Sequence, residues 1–250
     1  MNKKLIEVQN VKKSFKVGGN ESVIIDGLNL DIYEGDFTVI MGASGSGKST
    51  ILYMLSGMDK TTTGDVIFDG KDLKKLNKRE IAKFRKERIG FIFQGINLIP
   101  YLTILENVIV AGYLKKNPKS KILERSKKLL KTVGLEKEMY KKPSQVSGGQ
   151  AQRAAIVRAL INEPMVIFAD EPTGALNSQN SLEILNILSE LHEQGQSIVM
   201  VTHDTKAAMR GNRVIYIQDG KIIGDIELGA YEQSPERENK LNMFLTERGW

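Results

Sequence analysis

The chain has no cysteine among its 250 residues, so disulfides and thiolate metal sites are excluded. No run approaches 18 apolar residues, and nothing reads as a membrane span. Met1-Asn2-Lys3-Lys4-Leu5 leads into only a short apolar stretch, so no signal peptide is expected. Internal repeats and low-complexity segments are missing too. These absences together predict a soluble, cytosolic chain. Nor is there a large charge of one sign, because 36 basic and 30 acidic residues leave +6. That excess reads as moderate and spread out. It suits nucleic acid or an anionic membrane surface equally and demands neither. Apolar residues are plentiful at 41 %, enough for a sizeable core in one large domain or two small ones.

The stretch Gly42-Ala43-Ser44-Gly45-Ser46-Gly47-Lys48-Ser49-Thr50 fits the phosphate-binding pattern G-x-x-x-x-G-K-[ST]. Residues 37–41 read as a buried strand before it, and 48–55 as the helix after it. Glycines in such a loop let backbone N–H groups turn inward around a polyphosphate. The helix N-terminus adds partial positive charge. Lys48 can reach the β- and γ-phosphates, and Ser49 can hold Mg²⁺.

Elsewhere, strands are expected at 5–9, 22–32, 64–68, 89–93, 165–169 and 197–201. Residues 213–218 and 221–227 predict a hairpin on Asp219-Gly220. Helical patterns run over 78–88, 103–114, 120–133, from about 150 to 160, and 181–194. The last of these puts Leu182, Leu185, Leu188 and Leu191 on its inner face. Lysines of the 120–133 helix read as a solvated face. Phe15 can stack on a purine, or be an ordinary core or surface residue. Leu241, Phe244 and Leu245 give the tail helical spacing. The expected fold is α/β: a phosphate-loop NTPase with a mostly parallel core sheet, an N-terminal antiparallel β part and an inserted α-helical subdomain. We expect one domain over 1–250, with the helical subdomain at about 95–162 and a helical tail at about 234–250.

Ligands of parallel sheets bind at the carboxyl ends of strands. The phosphate loop, Gln94, Asp170-Glu171 and His203 all follow strands, so the sheet can bring them into one crevice. A carboxylate at Asp170 can hold Mg²⁺, and Glu171 can act as general base toward water. Gln94 can bridge metal and water. His203 can sense the γ-phosphate, though a lone histidine is more often structural. Ser147 and the N–H groups of Gly148 and Gly149 open a helix and make a second anion site.

Val146-Ser147-Gly148-Gly149-Gln150 resembles the LSGGQ signature of ABC ATPases, and with the phosphate loop the whole chain resembles the ATP-binding subunit of an ABC transporter. The resemblance implies Phe15 as adenine-stacking aromatic and Gln94 as Q-loop residue. It implies Asp170 and Glu171 as Walker B pair, His203 as switch histidine, and Ser147 to Gln150 as a contact to ATP. Ala175-Leu176-Asn177 resembles the D-loop, which normally ends in Asp. Phe84-Arg85-Lys86, 89–94, Asn97-Leu98 and 169–178 resemble the subgroup of macrolide exporters, lipoprotein-release ATPases and bacitracin-type peptide-resistance transporters. ATP and Mg²⁺ are then the expected cofactors. The expected partners are a second copy, in a head-to-tail dimer around two ATP, and a separate permease at the cytoplasmic side of a bacterial membrane. Nucleic acid is not expected. Residues 97–105 are the stretch expected to meet the permease, with Leu98, Ile99, Tyr101 and Leu102 as its apolar contacts. A nucleic-acid-linked ABC ATPase and a small-molecule kinase are the alternatives of other classes.

Overall fold

The computed structural model describes residues 3–250. In chain order the elements begin with β1 (Lys4–Val17), β2 (Asn20–Tyr33), β3 (Phe37–Met41), α1 (Lys48–Leu55), β4 (Thr63–Phe68) and β5 (Lys71–Asp72). Next come α2 (Lys78–Arg88), β6 (Ile89–Ile92), α3 (Ile104–Gly112), α4 (Lys119–Thr132), α5 (Gly148–Leu160), β7 (Val166–Asp170) and α6 (Ser178–Glu193). The chain closes with β8 (Ser197–Thr202), α7 (Thr205–Ala208), β9 (Arg213–Gln218), β10 (Lys221–Glu227) and α8 (Pro235–Thr246). They fall into two units, Met1–Ile81 with Gly195–Trp250, and Ala82–Gln194.

In the first unit β2–β1–β4–β5 form an antiparallel sheet, and β10–β9–β3–β8 lie side by side. β3 runs parallel to both β8 and β9, and all five of its residues are buried. Burial on both faces is why 37–41 reads as a continuous apolar run rather than an alternating one. The β9–β10 hairpin turns on Asp219 and Gly220, both at positive φ, as an Asp-Gly turn favours. β1 runs further than the expected 5–9. Asn10 sits at φ 47 and the register slips between Val8 and Val11. That bulge, pinned by the Asn10 N–H donating to Asn29 Oδ1 at 2.9 Å, breaks the two-residue alternation that marks a strand.

α8 docks through Leu241, Phe244 and Leu245, all buried. Its Arg237 is buried as well, and donates to the carbonyls of Met209, Gly211, Leu228 and Ala230 at 2.6–3.0 Å. Burial pushes the Arg237 guanidinium below the usual arginine value.

In the second unit β6 and β7 pair in parallel. α3, α4 and α5 share an apolar core built on Ile104, Val108, Leu130, Leu135, Ala154 and Val157. On α6 the inner face is Ile184, Leu185 and Leu188, while Leu182 is exposed. The expected leucine stripe therefore fails at Leu182. A strict spacing of three walks around a helix of 3.6 residues per turn by about 60° per step, so the stripe cannot stay on one face.

Candidate active site

The phosphate loop lies in the first unit. Met41 ends β3 opposite Thr202, the end of β8, so Gly42 and His203 are each the first residue beyond two paired strands. Gly42 passes so close to the β9 end that an added Cβ would stand 2.3 Å from the Ile217 carbonyl oxygen. Gly45 and Gly47 take φ of 84° and 98°, which curl the loop as only glycine does without strain. No side chain caps α1, leaving its N-terminal end to an anion. The Lys48 ammonium is buried and folds back over the loop, donating to the carbonyls of Gly42 and Ala43 at 2.8 Å each. Ala43, Ser44 and Gly45 are exposed along the rim, while Ser46 is buried. Ser49 and Thr50 occupy the first turn of α1. Phe15 projects from β1 with 42 % exposure, and the Lys13 ammonium stands 4.7 Å from its ring centre. His203 is exposed, just ahead of Asp204, which caps α7.

The carboxylates lie in the second unit. Ile92 pairs with Ala169, so Gln94 and the Asp170-Glu171 pair leave neighbouring strand ends together. Gln94 Nε2 donates to Glu171 Oε2 at 3.3 Å. Asp170 is buried. Glu171 holds φ 42, a left-handed conformation uncommon for a non-glycine residue and concentrated at functional sites. Gly174 packs under the pair, and a Cβ there would lie 3.1 Å from Gln94 Nε2 and 3.3 Å from Glu171 Oε2.

Ser147 opens α5. Its Oγ accepts from the Gln150 N–H at 3.2 Å, and Gln150 Oε1 accepts from the Ser147 N–H at 2.8 Å, a reciprocal capping box. The two glycines that follow are packed against the start of α6. A Cβ at Gly149 would lie 2.6 Å from the Asn180 side chain, and one at Gly148 3.4 Å from Leu176. Asn177, where the resemblance expects Asp, is the cap of α6, its Oδ1 accepting from the Asn180 N–H at 2.9 Å. Asn and Asp cap equally well, so the departure leaves this role intact.

Sequence reasoning missed the residues that hold the segment after Gln94. Ile96 and Asn97 both have positive φ, which is strained for a β-branched residue. Arg158 of α5 donates to both of their carbonyls. Buried Asn107 accepts from the Ile99 N–H at 2.6 Å and donates to the carbonyls of Ile99 and Thr103 at 3.1 and 2.9 Å. One signal was available: Asn107 interrupts the apolar face formed by Ile104, Leu105 and Val108. Within the stretch expected to meet a permease, Ile99 and Tyr101 are exposed at 45 % and 84 %. Leu98 instead packs against the helical core of its own unit, and Leu102 is partly buried.

Ser49 in the first unit, and Gln94 and the buried Asp170 in the second, each carry an oxygen donor of the kind that Mg²⁺ selects. No group of three or more His, Asp or Glu stands ready to hold a metal among the described residues.

The sequence profile described as "ABC transporter" matches residues 25–174, more than half of the chain and both the phosphate loop and the Asp170-Glu171 pair. The chain belongs to the ABC transporter family. Among curated members, it is 44 % identical to the macrolide export ATP-binding/permease protein MacB of Pasteurella multocida, over 90 % of this chain and 35 % of that protein. It is 44 % identical to the lipoprotein-releasing system ATP-binding protein LolD of Aquifex aeolicus, over 89 % of this chain and 97 % of that one. The bacitracin export ATP-binding protein BceA of Halalkalibacterium halodurans is 41 % identical, over 90 % of this chain and 89 % of its own length. The chain thus spans about a third of the MacB relatives and nearly all of LolD. All three branches of the subgroup suggested by the sequence are represented. A dimeric structure of the ABC cassette MJ0796, in a post-hydrolysis state with ADP and Pi, superposes with TM-score 0.84 at 41 % identity, covering 90 % of this chain and all of that one. The α/β ABC ATPase fold is therefore that of this chain. Among the described residues no helix is long and apolar enough to cross a membrane.

Proposed function

We propose that this chain is the ATP-hydrolysing subunit of a bacterial ABC transporter. Two copies close head to tail on two ATP molecules and drive a separate membrane permease that exports, or gives resistance to, antimicrobial peptides or similar amphipathic compounds. The observation that carries the reading is the pair of anion-type helix N-termini in one chain. α1 follows the phosphate loop, and α5 follows the signature serine and is tied through Gln152 to the Pro172 carbonyl, next to Glu171. Two such sites in one chain suit a γ-phosphate gripped by the loop of one copy and the signature of the other.

In this mechanism the backbone N–H groups of 42–50 and the Lys48 ammonium bind the β- and γ-phosphates, and Phe15 stacks on the adenine. Glu171 accepts a proton from water as its oxygen attacks the γ-phosphorus. The bond to the β–γ bridging oxygen breaks, leaving ADP and phosphate. Gln94, bonded to Glu171, orients the water, and His203 contacts the γ-phosphate. Ser49, Gln94 and Asp170 are the residues that would hold Mg²⁺, which would supply positive charge against the phosphates when bound.

A second reading within the same family, a lipoprotein-release ATPase, is favoured by the match along nearly the whole of LolD. A nucleic-acid-linked ATPase is disfavoured, because α3, α4 and α5 are 9, 14 and 13 residues long and form no extended arm.

The test is Glu171→Gln, read by phosphate release and by light scattering with ATP and Mg²⁺. Hydrolysis falls about 10²–10⁴-fold, ATP still binds, and an ATP-bound dimer accumulates. Adding Ser147→Arg then prevents the dimer. Wild-type hydrolysis by Glu171→Gln refutes the base assignment.

A further inference from the structure

The positive charge of the chain is not spread along it, as composition suggested. Between Lys115 and Lys142 stand eleven lysines and arginines against three acids, although the whole chain carries only +6. The remainder is slightly acidic.

The inner face of α4 is committed. Ile122, Ser126 and Leu130 are buried, and a Cβ on Gly112 of α3 would lie 2.6 Å from Ile122. Arg125 turns inward too, donating to the Ile161 carbonyl at 3.1 Å and pairing with Glu163 at 2.8 Å. The outer face carries Lys119, Leu123 and Lys127 in successive turns. The Lys119 ammonium lies 5.9 Å from the ring centre of Tyr113, which brings Tyr113 and Leu114 to the same end of the helix. Tyr113, Leu114 and Leu123 are 49 %, 57 % and 39 % exposed. Lys116, Lys121, Lys127 and Lys128 make no ion pair among the described residues.

The mixture identifies the partner. Leucine and tyrosine held out among unpaired lysines suit the boundary of an anionic bilayer, where apolar groups enter the acyl edge and ammonium groups meet phosphate. A nucleic-acid surface favours the planar fork of arginine, yet ten of the eleven cations are lysines and the arginine is already paired. We propose that the outer face of α4, with the 113–119 turn before it, binds the surface of an anionic phospholipid membrane. The contact requires no permease and no nucleotide, so it stands apart from the transport reading.

Sedimentation of the full chain with protein-free vesicles tests it. Wild type pellets with phosphatidylcholine vesicles containing phosphatidylglycerol, is released by high salt, and ignores pure phosphatidylcholine. Each lysine removed weakens partitioning about fivefold, so Lys116→Gln/Lys119→Gln/Lys127→Gln together weaken it on the order of a hundredfold. Leu123→Ser weakens it too, at every salt concentration low enough for wild type to bind. The same three changes at exposed Lys74, Lys75 and Lys78 leave it close to wild type. Unchanged ATPase activity in solution shows that each variant is folded. Equal loss in the two triple variants, no binding to the anionic vesicles, or displacement from them by duplex DNA at lower concentration than lipid overturns the proposal.

Discussion

The side-chain amide of Gln152 donates to the carbonyl of Pro172 at 2.8 Å, joining the second turn of α5 to the residue after Glu171. Both residues are buried. Within a single unit, α5 is therefore hydrogen-bonded to the residue that follows the proposed base. Gln152→Met keeps the length and removes the donor, leaving the carbonyl short of a partner at a cost of about 1–3 kcal/mol. For a chain of this size a thermal melt then drops by about 2–4 °C per kcal/mol. Phosphate release falls further than ATP affinity does. An unchanged melt and an unchanged rate together mean that this bond couples nothing.

Gly174→Val tests the floor under Gln94 and Glu171. A Cβ already stands at 3.1–3.3 Å from both polar atoms, and the valine methyl groups push them apart. Misplacement by about 1 Å costs on the order of a hundredfold in rate. Hydrolysis drops by that order while nucleotide binding, measured by titration with a fluorescent ATP analogue, is retained. Loss of binding as well means that the segment shapes the whole site.

Lys48→Ala removes a charge-assisted contact worth on the order of 2–3 kcal/mol. ATP affinity falls about 30- to 150-fold and turnover disappears. Unchanged hydrolysis contradicts the assignment of this loop.

Asn177 offers a clean pair of substitutions. Asn177→Ala loses the cap of α6 and destabilises by about 0.5–2 kcal/mol, whereas Asn177→Asp keeps it and melts like wild type. If the aspartate variant melts as low as the alanine one, capping is not what this side chain does.

The absence of native cysteine makes cross-linking direct. A cysteine at Ile99 or Tyr101, the exposed apolar residues after Gln94, paired with one in a cytoplasmic loop of the proposed permease, forms a disulfide under an added oxidant when the two are co-expressed. If no position in 97–105 cross-links to any membrane protein, the coupling surface lies elsewhere on the chain.

Features written in local sequence were readable. The phosphate loop, the Asp219-Gly220 hairpin and the buried face of α8 each depend on neighbours within a few positions. The strand ends that carry Gln94, Asp170 and His203 were legible for the same reason. What escaped depends on distant partners or on geometry that a pattern averages away. β1 continues past Asn10 because Asn29, on the next strand, holds the bulge. Leu98 turns inward because Arg158 and Asn107, dozens and several residues away, bind the backbone around it. Leu182 was placed inside by counting in threes, and the helix does not turn in threes.

The tail is wired to the histidine turn. Arg237 collects the carbonyls of Met209 and Gly211, at the far end of the short helix that begins two residues after His203. It also collects those of Leu228 and Ala230, beyond the last hairpin. The family profile ends at residue 174, so this connection lies outside the part of the chain that the profile describes. Its consequence is mechanical. A shift of the turn after His203 has to travel with the C-terminal helix or break a bundle of charge-assisted bonds, so movement there carries the inertia of the last forty residues.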